Sequence, residues 1–270
     1  MSSLKNKLKY FFIKINALPL LDQINYLNAR ARNASKNRQF KTSHSTFSIP
    51  PDYFLYESYR LDYEEYFTDG ELAAKEIMEW TGPYLKEQIN ILEWGCGVAR
   101  IIRHIPDLIA QKGRIHAVDI NPEMIAWDKK NIPNVNFEQI RYLPPTRFPD
   151  HYFNLVFALS VFTHIEKNIQ QDWIHEISRI LEKNGIFLFT THGKRYFQQL
   201  SASDQSRLSS DGSFTISYKK KGHRMMTTYN DPIHFRMLIE SSFKVLEFYD
   251  GDEYPRKAGG QDLWIVQKLS

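Results

Sequence analysis

Between residues 89 and 191, short apolar runs alternate with stretches of helical spacing. The runs at 89–94, 114–119, 135–139, 152–159 and 186–191 predict strands. The last reads Ile-Phe-Leu-Phe-Thr-Thr, continuous enough to be buried on both faces of a sheet. The stretches 99–110, 122–131 and 169–182 predict helices. Pro122 stands at the first turn of the second, and Gly185 follows the third as a stop. Alternating strands and helices of these lengths predict an α/β fold: a doubly wound, mostly parallel seven-stranded sheet with helices on both faces.

The pattern changes after His192. Residues 214–218 and 225–229 alternate in period two around Lys219-Lys220-Lys221-Gly222, which predicts an inserted β-hairpin with a basic tip. A helix at 231–241 and closing strands at 244–249 and 262–268 follow. Upstream, a helix is expected at 69–85, capped by Thr68 or Asp69. The polar residues 29–50 read as a linker ending at Pro50-Pro51. In 4–15, Leu4, Leu8, Phe11, Phe12 and Ile15 share one helical face, with lysines opposite. Such a helix suits docking on its own domain or a second subunit; the alternative is peripheral contact with an anionic membrane. The expected division is an N-terminal basic, helical extension and cap over 1–68, then a main domain over 69–270. Within the latter, 193–230 is read as a substrate-contact insertion.

Hydrophobic residues make up 42% and charged residues 24% of the 270 positions, the balance of a folded globular chain. Residues 1–50 hold nine lysines and arginines against one acid, Asp22, so with a formal net charge of +4 overall the rest of the chain is net acidic. Cys96 is the single cysteine, which excludes an internal disulfide and a cysteine-based zinc site. The apolar run at 10–13 is broken by Lys14 with no cleavage site after it, and no run of 18 apolar residues exists. A reducing, cytoplasmic location is the simplest expectation.

The segment 91–100 carries the chemistry. It reads Ile-Leu-Glu-Trp-Gly-Cys-Gly-Val-Ala-Arg and passes from strand to helix. Gly95 and Gly97 permit a tight turn and close approach of a ligand to the backbone. Asp119 ends the next strand, about 20 residues on, at the spacing of a carboxylate that accepts from ribose hydroxyls. A dinucleotide loop wants a third glycine where this chain has Arg100, and Glu93 beside the loop would repel a pyrophosphate but suits a cationic ligand. An NAD-dependent oxidoreductase is therefore disfavoured.

With these residues the chain resembles the class I, Rossmann-like S-adenosylmethionine-dependent methyltransferases. The segment 91–97 is similar to their first motif and Ala117-Val118-Asp119-Ile120-Asn121-Pro122-Glu123-Met124-Ile125 to their second. The stretches 148–156 and 159–165 resemble the fourth-strand region, and 176–186 the helix and turn before the fifth strand. The resemblance implies S-adenosylmethionine as cofactor. It implies that Gly95, Cys96 and Gly97 border the methionine part, with Glu93 at the loop's entrance and Arg100 just beyond. It implies Asp119 on the ribose, Ile120 and Met124 against adenine, and Leu159 and Ser160 facing the cofactor. Many relatives place an acid after the third strand; here that stretch is Gln139-Ile140-Arg141-Tyr142-Leu143, leaving Gln139, Tyr142 or backbone groups to meet the adenine.

A hydroxyl or amine acceptor must lose a proton, which in many cases calls for a nearby base, a task suited to histidine. His164 and His192 stand just after the fourth and fifth strands, where ligands bind in open α/β sheets, and are the catalytic candidates. His223, His234, Tyr56 and Tyr59 are weaker ones, and His104 and His116 read as scaffold. No tight His/Asp/Glu cluster points to a metal. The expected function is methyl transfer to an oxygen or nitrogen of a small-molecule or glycan acceptor. The alternatives are a nucleic-acid methyltransferase, against which the acidic body of the chain argues, and a non-catalytic S-adenosylmethionine-binding protein.

Overall fold

A computed structural model describes residues 18–59, 61–85, 89–109, 113–198, 200–216, 226–254 and 258–269. The basic stretch 4–15, Lys219-Lys220-Lys221 and His223 lie outside the described residues. The chain divides into two compact units, Met1–Gly70 and Glu71–Ser270.

The first unit contains α1 (Leu18–Ser43), α2 (Asp52–Tyr59) and the start of α3 (Tyr63–Thr81), which runs on into the second. The polar stretch 29–50, expected as a linker, is helical as far as Ser43. It holds no glycine, and no proline before Pro50, and is rich in straight-chain residues that lose little rotamer freedom in a helix. Tertiary contacts then fix it. Asn37 Nδ2 donates to the Leu61 carbonyl at 2.9 Å, its Oδ1 accepts from the Tyr63 amide at 3.2 Å, and Phe40 is buried against the Phe47, Tyr63 and Phe67 rings. The third helix starts earlier than Asp69. Asp62 caps it, with Oδ1 accepting from the Glu64 and Glu65 amides at 3.1 Å each.

The second unit is built on β1 (Ile91–Trp94), β2 (Ile115–Asp119), β3 (Asn136–Gln139), β4 (Phe153–Ala158), β5 (Leu181–Thr191), β8 (Phe243–Tyr249) and β9 (Asp262–Lys268). They form one seven-stranded sheet in the order β3-β2-β1-β4-β5-β9-β8. The first five strands are parallel, and β9 inserts antiparallel between β5 and β8. The order reverses between β1 and β4, the place where an open α/β sheet leaves a crevice.

Successive residues of the central strands go to opposite faces. Leu155, Phe157, Ile186 and Leu188 join one buried layer, and Val156, Ala158, Phe187 and Phe189 the other. Helices α5 (Pro122–Asn131) and α6 (Lys167–Ile180) follow β2 and β4. Asn121 caps α5 by accepting from the Glu123 and Met124 amides, with Pro122 pre-set at the first turn. The helix expected over 99–110 is reduced to a bend with Ala99 at φ 53, a 3-10 turn Ile102–His104 and the short α4 (Ile105–Leu108). Pro106 has no amide to donate to a preceding turn. Gly185 is not the stop of α6, which ends at Ile180; it lies inside β5 after Asn184, where a Cβ would stand 2.9 Å from the Glu182 carbonyl oxygen.

Beyond β5 come α7 (Lys194–Phe197) and α8 (Ala202–Asp211), neither expected from the sequence. The hairpin is present as a separate antiparallel pair, β6 (Ser213–Ile216) and β7 (Thr227–Asn230), and α9 (Pro232–Ile239) leads into the closing strands. Among the described residues, no helix is long and apolar enough to cross a membrane.

Candidate active site

The C-terminal ends of β1, β2 and β4 open onto one cavity. It is lined by Trp94, Gly95, Asp119, Ile120, Ile140, Tyr142, Leu159, Ser160, Val161, His164, Ile165 and Trp173. Its floor is the turn after β1. The Gly95 and Cys96 amides both donate to the Val118 carbonyl, at 2.8 and 3.0 Å, which fastens that turn to the end of β2. Gly95 has φ +81, and a Cβ on it would lie 2.4 Å from Val161 Cγ2, so no other residue fits without displacing its neighbour. Gly97 has φ +55 and open space where a Cβ would point.

Asp119 joins the two strand ends. Its Oδ2 accepts from the Gly97 amide at 2.9 Å and its Oδ1 from the Asn121 amide at 2.8 Å. Burial raises its pKa, while these amides pull it back. Tyr142 is held at both ends: its hydroxyl accepts from the Glu166 amide at 3.3 Å and its carbonyl from Trp173 Nε1 at 3.1 Å. Ser160, at φ 63, closes the opposite wall. Its amide donates to Thr190 Oγ1 and its hydroxyl accepts from Gln261 Nε2, each at 2.8 Å.

His164 lies in the 3-10 turn Phe162–His164 after β4. Its Nδ1 is 2.6 Å from the Met226 carbonyl oxygen. A carbonyl only accepts, so Nδ1 carries the proton and Nε2 is the basic nitrogen of the neutral ring.

Of the residues expected at the site, Gly95, Asp119, Ile120, Tyr142, Leu159, Ser160 and His164 line this cavity. Others take different places. Glu93 does not stand at the loop's entrance; its side chain is buried and its Oε2 accepts from the Ile102 amide at 3.1 Å. Burial pushes its pKa up to about 8, with the Arg100 charge acting the other way, and Arg100 is not among the residues that line the cavity. Cys96 and Met124 are buried against the scaffold, and Gly97 contributes its amide to Asp119.

His192 also takes a different place from the one expected. Its ring stacks on Tyr196 at 4.1 Å and lies against Tyr229 at 5.7 Å, outside the cavity lining. Burial, then the nearby His164, pushes its pKa down to about 4, a poor value for a base at neutral pH. Trp94, Ile140, Val161, Ile165 and Trp173 were not expected to line the site. They belong to or pack against the buried core, so their apolar character reads as packing. The one available signal was the position of Trp94 and Val161 beside Gly95 and Ser160.

A family described as a methyltransferase domain matches residues 91–185. Over 121 residues the chain is 35% identical to a malonyl-[acyl-carrier protein] O-methyltransferase of Bacillus cereus. That match covers 43% of this chain and 42% of that protein, so it spans less than half of the relative's length. A solved S-adenosylmethionine-dependent methyltransferase from Methanosarcina mazei has a TM-score of 0.54 at 18% identity, covering 70% of this chain and 97% of that one. Another from Mesorhizobium loti has a TM-score of 0.52 at 13% identity, covering 71% and 97%. The likeness to these two structures is one of fold.

Proposed function

We propose that the chain is a class I S-adenosylmethionine-dependent methyltransferase, in keeping with the methyltransferase-domain match over residues 91–185, and that it transfers a methyl group to an oxygen or nitrogen of a small-molecule or glycan acceptor. The observation that carries this reading is Asp119. Its carboxylate is fixed by the Gly97 and Asn121 amides on the wall of a cavity at the switch point of the sheet.

The residues present fit the cofactor. The space over Gly97 leaves room for a ligand against the loop backbone. Asp119 would accept from ribose hydroxyls, and Ile120, Ile140 and Tyr142 would offer apolar and aromatic faces to the adenine. S-adenosylmethionine supplies a methyl group on a sulfonium, an activated leaving group. The protein's own part is to align, to exclude water and to take a proton. Trp94, Leu159, Val161, Ile165 and Trp173 make the wall predominantly apolar, which favours water exclusion. His164 Nε2 would take the proton of the acceptor hydroxyl or amine.

The net-acidic chain beyond residue 50 favours a small or carbohydrate acceptor over nucleic acid, whose backbone phosphates it would repel. Isothermal titration calorimetry on the intact chain tests the cofactor reading. S-adenosylmethionine and S-adenosylhomocysteine are expected to bind and NAD not to; binding of NAD alone would overturn it.

A further inference from the structure

Strand β7 touches the turns that follow both β4 and β5, through residues spaced two apart. The Met226 carbonyl, just before the strand, accepts from His164 Nδ1 at 2.6 Å. Thr228 Oγ1 donates to the Ile165 carbonyl at 2.8 Å. The Asn230 amide donates to the His192 carbonyl at 3.0 Å. Thr228 is fully buried, and its cross-strand partner Thr215 lies within hydrogen-bond distance, 3.0 Å between the hydroxyl oxygens. The hairpin is a separate two-stranded sheet, so these contacts do not serve the ladder of the main sheet.

We propose that β7 is the positioning element of the proton-accepting site: the Met226 carbonyl fixes the Nδ1–H tautomer of His164, Thr228 holds its turn, and the acceptor is a hydroxyl or an amine rather than a carboxylate. This rests on the reading of the cavity as a methyl-transfer site. The minor tautomer of a free imidazole is the one stabilised here, which makes Nε2 basic on a ring that lines the cavity. The proton passes from the acceptor O–H or N–H to Nε2, and its electron pair stays on the acceptor atom. The Nδ1–H bond to Met226 is kept and strengthened as the ring becomes an imidazolium. A carboxylate acceptor is already ionised at neutral pH and needs no such base. Thr228 and Met226 act through His164, so they are positioning residues.

The test uses the full chain labelled with 15N at histidine, at a pH where His164 is neutral. Two-bond 15N–1H correlation spectra are expected to show a ring in the Nδ1–H form whose signals, and no other ring's, vanish in His164→Gln. Thr228→Val should turn that single form into a mixture of tautomers, while Thr228→Ser, which keeps the hydroxyl, should restore it. An Nε2–H form for His164 in the native chain would overturn the proposal, as would a Thr228→Val spectrum identical to the native one. For acceptor class, His164→Gln should cut turnover of a hydroxyl or amine acceptor by about 100-fold and remove the alkaline rise in kcat/KM. Efficient methylation of a carboxylate, indifferent to His164→Gln, would overturn that part. Calorimetry with S-adenosylmethionine separates the two levels. Failure to bind sinks the methyl-transfer reading, whereas binding together with the Nε2–H form sinks only the present inference.

Discussion

The Gly97 amide donates to Asp119 Oδ2 at 2.9 Å, so the glycine turn after β1 and the carboxylate ending β2 are one unit. Asp119→Ala removes the tie on the turn and, on the proposed function, the acceptor for the ribose hydroxyls. Loss of hydrogen bonds to a charged group costs about 2 kcal/mol, which is roughly 30-fold in affinity. Calorimetry should show S-adenosylmethionine binding weakened by about that factor, with a folded circular-dichroism spectrum. Unchanged affinity would remove Asp119 from the cofactor site.

Gly95 gives a steric prediction. Gly95→Ala forces a side chain into the left-handed region at φ +81 and places Cβ 2.4 Å from Val161 Cγ2. Backbone strain and overpacking each cost about 1–3 kcal/mol, so thermal unfolding should shift down by several degrees. Val161→Ala in the same chain should recover the overpacking part and leave the backbone part. A double-mutant cycle that shows no coupling between the two positions would contradict the geometry.

The two histidines predict opposite behaviour. His164 lines the cavity, whereas His192 stacks on Tyr196 with its ring held neutral by burial. His164→Gln is expected to slow methyl transfer by about 100-fold with little change in cofactor affinity. His192→Phe keeps the ring stack and should leave turnover within a few-fold. If His192→Phe is the slower variant, the assignment of the base is reversed.

These two residues also mark where sequence reasoning stops. Both were legible as histidines after strands, because strand ends follow from the apolar runs. Which one points into the cavity depends on the Met226 carbonyl, just before a hairpin strand whose docking the sequence does not indicate, and on the Tyr196 ring, in a helix that was not expected. The central strands and α5 were legible because period and caps agree: Asn121 and Pro122 mark the helix start and Asp119 the strand end. The first helix was not, because its polar residues are stabilised by Asn37 and Phe40 contacts from distant positions. Glu93 was assigned from its charge; its burial and its bond to the Ile102 amide are tertiary facts with no sequence signature.

Glu93 and Asp128 lead to a last prediction, on stability and pH. Asp128 is fully buried on α5, and neither carboxyl oxygen has a hydrogen-bond partner among the described residues. Burial pushes its pKa up to about 8, the nearby Asp119 adds to the rise, and Arg103 opposes it. In the unfolded chain an aspartate loses its proton near pH 4, about its unperturbed value. Between those values the folded chain holds a proton that the unfolded chain has released, so stability falls as pH rises through the window and levels off above it. Glu93, also raised to about 8, acts in the same direction. His104 and His192, both pushed down to about 4, act oppositely: their contribution is lost as pH falls below the ordinary histidine value. Asp128→Asn keeps the shape and removes one ionisation without altering those histidines. Urea unfolding from pH 5 to pH 8 should show its stability relative to the native chain growing steadily, by about a few kcal/mol in total. Parallel curves across that range would mean that Asp128 is ionised in the folded protein and that an interaction outside the described residues neutralises it.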